Sequence, residues 1–204
     1  MGICMEQYVI TISRQFGSMG RSIAKELSEN LGIEFLDRDI VEATAKRMGL
    51  PVSVISDEEE SMKSTFFRRQ YPLGMGMSSL KDEIFYTQKN IIRDFAAKGS
   101  CIIVGRCADY ALADEPHCLN IFIRSNMDDR IKRISERLNV PENKAKDIIK
   151  KKDKERSSYY NYYTSKKWGD ARSYDLCLNT SQISVEDSIE LILKYRECMR
   201  SHNK

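Results

Sequence analysis

Tyr8-Val-Ile-Thr-Ile-Ser-Arg-Gln-Phe-Gly-Ser-Met-Gly-Arg-Ser-Ile-Ala-Lys-Glu-Leu-Ser-Glu-Asn-Leu31 is the stretch on which the fold turns. The β-branched run Tyr8 to Ile12 reads as a short buried strand. A turn holding Gly17 and Gly20 follows. Ile23, Leu27 and Leu31 then recur on one helical face, and Gly32 stands where a helix would stop. Strand, glycine turn and helix together aim backbone N–H groups and a helix N-terminus at one point, which holds an anion without side chains. Against the phosphate-loop pattern G-x-x-x-x-G-K-[ST], Gly20 and Ser22 fit. Gln15 replaces the first glycine, and Arg21 replaces the lysine.

Four segments carry a resemblance: Ile12-Ser-Arg-Gln-Phe-Gly-Ser-Met-Gly-Arg-Ser-Ile-Ala24, Phe35-Leu-Asp-Arg-Asp39, Ile103-Val-Gly-Arg106 and Tyr174-Asp-Leu-Cys-Leu-Asn-Thr180. In this order they resemble the cytidylate kinase-like family, a branch of the P-loop nucleoside monophosphate kinases. The resemblance implies a P-loop NTPase fold, three layers α/β/α around a five-stranded parallel sheet. It also implies ATP as phosphoryl donor, Mg²⁺ as cofactor, and CMP or dCMP as the first acceptor to test.

The remaining pattern agrees with one α/β domain over residues 1–204. A second strand is expected at Ile33 to Leu36, then a helix through Met48 closed off by Pro51. Within an acceptor-side insertion of about 38–80, residues 56–79 change character: an acidic run Asp57 to Glu60, an aromatic and basic stretch Phe66 to Tyr71, then a segment rich in Gly and Met. The acidic run is expected to be a solvated helix face. A long helix from Leu80 to Phe95 leads to a strand at Cys101 to Val104, and a further strand runs from Leu119 to Ile123. A basic helix carries Met127, Ile131, Ile134 and Leu138, and Pro141 suits the first turn of the next helix. The last strand is Leu176 to Asn179, and Ser184-x-x-Asp187 opens a terminal helix. Strands alternating with helices argue for a parallel sheet whose loops gather ligands on one edge. There Arg14, Asp37 and Gly105-Arg106 end three strands.

Composition narrows the rest. Lys plus Arg number 33 against 30 Asp plus Glu, so net charge gives no argument for nucleic acid or membrane. No apolar run is long enough to span a bilayer and no signal peptide is visible, so the expectation is a cytoplasmic protein. Gly2 and Cys4 suggest lipidation, but Glu6 stands where that motif wants Ser or Thr. The six cysteines form no C-x-x-C pair and read as structural thiols, with Cys101 and Cys177 in apolar strand-like runs.

Phosphoryl transfer needs alignment and positive charge more than covalent chemistry. Gly17, Ser18, Met19, Gly20, Arg21 and Ser22 are the candidate donor-phosphate cradle, with the Ser22 hydroxyl toward Mg²⁺. Arg21 keeps the lysine's charge as a planar fork. The resemblance aligns Arg106 with an arginine that related kinases use on the acceptor, and it puts Asp37 and Arg38 on the same side. Between Lys144 and Arg172 lie ten Lys or Arg, four Asp or Glu, four tyrosines and Trp168. Read as a kinase, residues of about 150–172 are a lid, with Lys152 and Arg156 its charge donors and Arg21, Arg106 and Arg156 the catalytic cations. Basic groups interleaved with aromatics are also what a single-strand stacking platform uses. Two further readings stay open: a kinase for another small phosphorylated or hydroxylated acceptor, and a nucleotide-binding module without turnover, which Gln15 and Arg21 keep alive.

Overall fold

The computed structural model describes residues 7–60 and 80–202. Five strands, β1 (Val9–Arg14), β2 (Glu34–Leu36), β3 (Cys101–Val104), β4 (Cys118–Arg124) and β5 (Leu176–Asn179), form one parallel sheet. Their order is β2-β3-β1-β4-β5, which puts β1 at the centre. It pairs with β3 through Val9 to Cys101 and Ile12 to Val104, and with β4 from Val9–Cys118 to Arg14–Ile123.

Eight helices accompany the sheet among the described residues: α1 (Gly20–Leu31), α2 (Arg38–Met48), α3 (Val52–Glu60), α4 (Leu80–Lys98), α5 (Ala108–Ala111), α6 (Met127–Leu138), α7 (Glu142–Thr164) and α8 (Val185–His202). Side chains of β1 alternate across the sheet, as strand geometry requires. Ile10 and Ile12 join Ile23, Leu27, Ile121, Ile123, Ile189 and Ile192 on the face covered by α1 and α8. Val9 joins Leu36, Ile40, Ile91, Ile92 and Ile103 on the face covered by α2 and α4. Both faces are dry, which is why the strands read as apolar runs and not as alternating ones.

Local signals match. Gly32 adopts φ 62° and ends α1 with its N–H on the last carbonyls. Ser184 Oγ accepts from Asp187 N at 3.0 Å, and Asp187 Oδ2 accepts from Ser184 N at 3.2 Å, a capping box at the start of α8.

Several boundaries move. β2 begins at Glu34, α4 runs on to Lys98, and β4 spans Cys118–Arg124. Pro141 precedes α7 instead of lying inside its first turn. Helices α3 and α5 were not expected as separate elements; α3 carries the acidic run 57–60. Cys101 is buried as a small apolar group, but Cys177 is exposed, because alternation along the edge strand β5 turns it outward. Residues 61–79 of the insertion, with the Phe66–Tyr71 stretch, and Gly2, Cys4 and Glu6 lie outside the described residues. No described helix is long and apolar enough to cross a membrane.

Candidate active site

The turn between β1 and α1 is held by side chains that donate to its carbonyls. Arg156 Nη1 donates to Arg14 O at 3.0 Å. The Ser18 hydroxyl donates to Gln15 O at 2.9 Å. Arg130 Nη1 donates to Phe16 O at 3.4 Å, and Arg133 Nη1 donates to Gly17 O at 3.3 Å. Thr180 Oγ1 donates to Ser18 O at 3.0 Å. Every carbonyl from Arg14 to Ser18 thus has a side-chain donor. Of the amides that follow these carbonyls, Gln15 N donates to Ile123 O at 3.0 Å, Phe16 N to Asp153 Oδ1 at 2.7 Å and Ser18 N to Gln15 O at 3.4 Å. Those of Gly20, Arg21 and Ser22 belong to the first turn of α1 and have no acceptor within the helix. Gly17 at φ 79° and Met19 at φ 64° supply the left-handed steps of such a nest. A methyl on Gly17 would also meet Ile134 Cγ1 at 3.1 Å.

Gln15 does structural work where a glycine was expected. Its Oε1 accepts from Ser125 N at 3.1 Å, which ties the loop to the end of β4. The helices after β4 hold the other side. Asp153 of α7 accepts from Phe16 N at 2.7 Å and from Arg130 Nη1 at 2.5 Å. Arg133 also donates to Ser125 Oγ at 2.9 Å and to Thr180 O at 3.0 Å. The Phe16 ring lies under two guanidiniums, Arg137 at 5.1 Å and Arg156 at 5.4 Å.

Beside the loop, at the carboxyl edge of β1 and β3, a cavity of about 170 Å³ opens beneath α7. Ser13, Arg14, Arg106, Lys152, Arg156 and Tyr159 are among its lining residues. Gly105, Arg106 and Cys107 adopt φ 76°, 57° and 52°, three successive left-handed residues. Such backbone is costly for the two non-glycine residues and persists only where its surroundings hold it. Burial pushes the guanidiniums of Arg14, Arg106 and Arg156 down, Arg14 to about 9 with Arg156 adding to the effect. Asp37 opposes the shift in all three. Burial disfavours these charged forms, and an anion in the cavity would favour them.

The expected residues divide into two groups. Arg106, Arg156 and Lys152 come together on the cavity, and Lys152 Nζ lies 3.2 Å from Glu155 Oε2. Gly17, Ser18, Met19, Gly20 and Ser22 form the loop and its helical start, with Ser22 exposed. Arg21 turns to Asp37 instead: its Nε donates to Oδ2 at 2.6 Å, and its guanidinium lies 5.7 Å from the Phe35 ring. Asp37 is buried at the end of β2, and Arg38 is exposed. Within the expected lid, 150–164 is the continuous end of α7. Lys150, Lys151 and Lys154 face solvent, whereas Lys152, Asp153 and Arg156 face the protein. Its aromatic end packs, with Tyr163 stacked on Phe85 at 4.0 Å and 9°.

Sequence reading placed Arg14 at the ligand edge without a role, and missed Arg130, Arg133, Asp153 and Thr180. Arg130 and Arg133 share α6 with Met127, Ile131 and Ile134, and Arg130 is only 5% exposed in its side chain. An arginine on a helix's apolar stripe, with Asp153 and Arg156 one turn apart on α7, was the available signal.

A central parallel strand, a glycine turn opening a helix and a basic cavity at one sheet edge define the class: a P-loop-type kinase fold, the architecture of phosphotransferases acting on small substrates. Residues 9–182 match the cytidylate kinase-like family, and the chain belongs to that family. A cytidylate kinase of Sulfolobus acidocaldarius is 27% identical over 186 residues, covering 90% of this chain and 91% of the relative. A crystal structure of an uncharacterized protein from Eubacterium ventriosum is 32% identical with TM-score 0.72, covering 94% of this chain and 99% of that one. A shikimate kinase from Bacteroides thetaiotaomicron shares the fold at 12% identity and TM-score 0.56, over 94% and 99%.

Proposed function

We propose that this protein transfers the γ-phosphoryl group of ATP to a nucleoside monophosphate, with CMP or dCMP as acceptor. The observation that carries the reading is the glycine turn that opens α1, whose first-turn amides have no acceptor within the helix, beside a cavity lined by Arg14, Arg106, Arg156 and Lys152. Family membership and the similarity to a cytidylate kinase favour a cytidine acceptor.

The Gly17–Ser22 amides would take the donor phosphates. The loop fits Mg²⁺ as well, because that ion needs few protein oxygens beside substrate phosphates, and Ser22 offers a hydroxyl at the start of α1. When bound, Mg²⁺ neutralises charge developing across the phosphates. Arg106 would clamp the acceptor's phosphate with two parallel hydrogen bonds, and Arg156 would follow charge on the transferring group. Asp37, Arg21 and Arg38 would bound the acceptor side. A phosphate oxygen of the acceptor forms the new P–O bond as the bond to the β–γ bridging oxygen breaks, and ADP leaves with that electron pair. Helix α7, already hydrogen-bonded to the loop, would exclude water from the transfer.

The test is ADP release with ATP and Mg²⁺ against CMP, dCMP, UMP, AMP and GMP, alongside direct ATP binding. Turnover highest with CMP or dCMP is expected. ATP binding without transfer to any acceptor would favour the binding-module reading, and turnover highest with UMP, AMP or GMP would replace the acceptor.

A further inference from the structure

The loop of this protein lacks the lysine of its pattern, and the residue in that place, Arg21, is committed elsewhere. Its Nε is bonded to Asp37 at 2.6 Å, its guanidinium lies over Phe35, and its side chain is 59% exposed. Within the kinase reading above, on which this inference rests, we propose that Arg14 is the cation of the phosphate loop, the full charge that meets the polyphosphate of the donor at the reacting end.

The first argument is the path of the side chain. Arg14 is the last residue of β1 and leads directly into the loop. A methyl built on Gly20 would lie 2.6 Å from Arg14 Cβ and 3.1 Å from its Cγ. One built on Gly105, after β3, would run into the Arg14 guanidinium. Two glycines on different loops therefore clear one lane, and that lane is filled by Arg14 from Cβ to guanidinium. Gly20 is instructive because it opens α1 without a positive φ, so its backbone would accept any residue. The room taken by Arg14, with Ile123 Cβ behind it at 3.3 Å, is what requires glycine there.

The second argument is charge. Arg14, Arg106 and Arg156 border the cavity together, and Arg21 is paired with Asp37. Asp37 reaches two of them, Arg21 at 2.6 Å and Arg14 at 3.8 Å. The α7 carboxylates nearest the loop and cavity have cations of their own: Asp153 pairs with Arg130, and Glu155 with Lys152. Among the described residues, the cavity lining carries Arg14, Arg106, Lys152 and Arg156 against one carboxylate, Glu155. The Arg14 guanidinium, 18% exposed in its side chain, is oriented by Asp37 at the weaker of the two distances. A charge aimed from one side and open on the other is preorganised for a multiply charged phosphate chain, without reorganisation at the moment of transfer. The loop amides would supply dipoles, and Arg14 the net charge.

The test compares the parent with Arg14→Gln, Arg21→Gln, Gly105→Ala and the Arg14→Gln/Gly105→Ala double variant. Each is measured by melting curve, by calorimetric binding of inorganic tripolyphosphate, and by ADP release with the nucleotide panel. Arg14→Gln should weaken tripolyphosphate about tenfold or more, the effect of losing a charged hydrogen-bond donor, and Arg21→Gln by a smaller factor. The ligand-free melting temperature of Arg14→Gln should not fall, because Asp37 keeps Arg21. Gly105→Ala keeps the charge but displaces the guanidinium, so it should weaken binding too, and the double variant should bind no worse than Arg14→Gln alone. Gly105→Ala carries the test if Arg14→Gln fails to fold. Tripolyphosphate binding at parent strength in Arg14→Gln, a larger loss in Arg21→Gln, or additive losses in the double variant would each overturn the assignment. Arg14-dependent tripolyphosphate binding without transfer to any acceptor would sink the kinase reading and leave the phosphate role of Arg14 standing. No tripolyphosphate binding by the parent would remove both.

Discussion

Asp153→Ala tests the clamp between α7 and the phosphate loop. Asp153 accepts from Phe16 N at 2.7 Å and pairs with Arg130 at 2.5 Å, and the two side chains are 17% and 5% exposed. Removing one member of a buried pair strands the other charge, which costs about 3–5 kcal/mol. The lost acceptor of Phe16 N adds about 1 kcal/mol, and the partial exposure of Asp153 offsets a similar amount by letting water in. A net loss of roughly 3–5 kcal/mol in a domain of this size lowers Tm by roughly 6–20 °C. Asp153→Asn keeps an acceptor for Phe16 N and should lose less. Asp153→Ala with Arg130→Met should recover most of the loss, since no buried cation is left unpaired. The assay is thermal and urea unfolding of all four proteins. A loss for Asp153→Ala under about 1 kcal/mol, the range of an exposed pair, would refute the reasoning, and so would a double variant worse than the single.

Four further outcomes are expected. Ser22→Ala should lower turnover on the order of 10²-fold while weakening ATP binding less, because metal placement matters most as charge develops; unchanged ADP release would remove Ser22 from the site. Arg106→Ala should raise KM for the acceptor and lower kcat with ATP affinity near the parent's, and Arg106→Lys should rescue little because an ammonium lacks the fork; normal acceptor kinetics in a folded alanine variant would make Arg106 structural. Amide exchange over residues 150–172 should slow when nucleotide is added; slowing with oligonucleotide alone, lost as salt rises, would point to single-strand binding. Asp109 is buried, and burial pushes its carboxyl up although the Tyr160 hydroxyl donates to it at 2.6 Å. The folded state therefore binds that proton more tightly than the unfolded chain, and its contribution to stability is present at acid pH and lost as pH rises through the raised value. Asp109→Asn should melt at or above the parent at pH 8, with the difference closing as pH falls; a constant difference would show that this titration does not govern stability.

The amino-acid sequence by itself determined the parallel sheet, the glycine turn after its first strand, the capped terminal helix and the edge where Arg14, Asp37 and Arg106 end their strands. Those features follow from local rules: apolar runs bury, glycine takes left-handed turns, and right-handed crossovers bring loops to one edge. Only the tertiary structure decided what the charged residues do. Asp153 and Phe16 are 137 positions apart, and Thr180 and Ser18 are 162 apart. No local periodicity encodes such pairs, because each depends on how α6, α7 and the end of β5 pack around the loop. Arg21 shows the point from the other side. Motif spacing assigned it to the phosphates, but Asp37, buried at the end of β2 and 16 residues away, takes its guanidinium, while two glycines from separate loops make space for Arg14. A side chain as long as arginine can reach several sites from one backbone position, and its surroundings select which one.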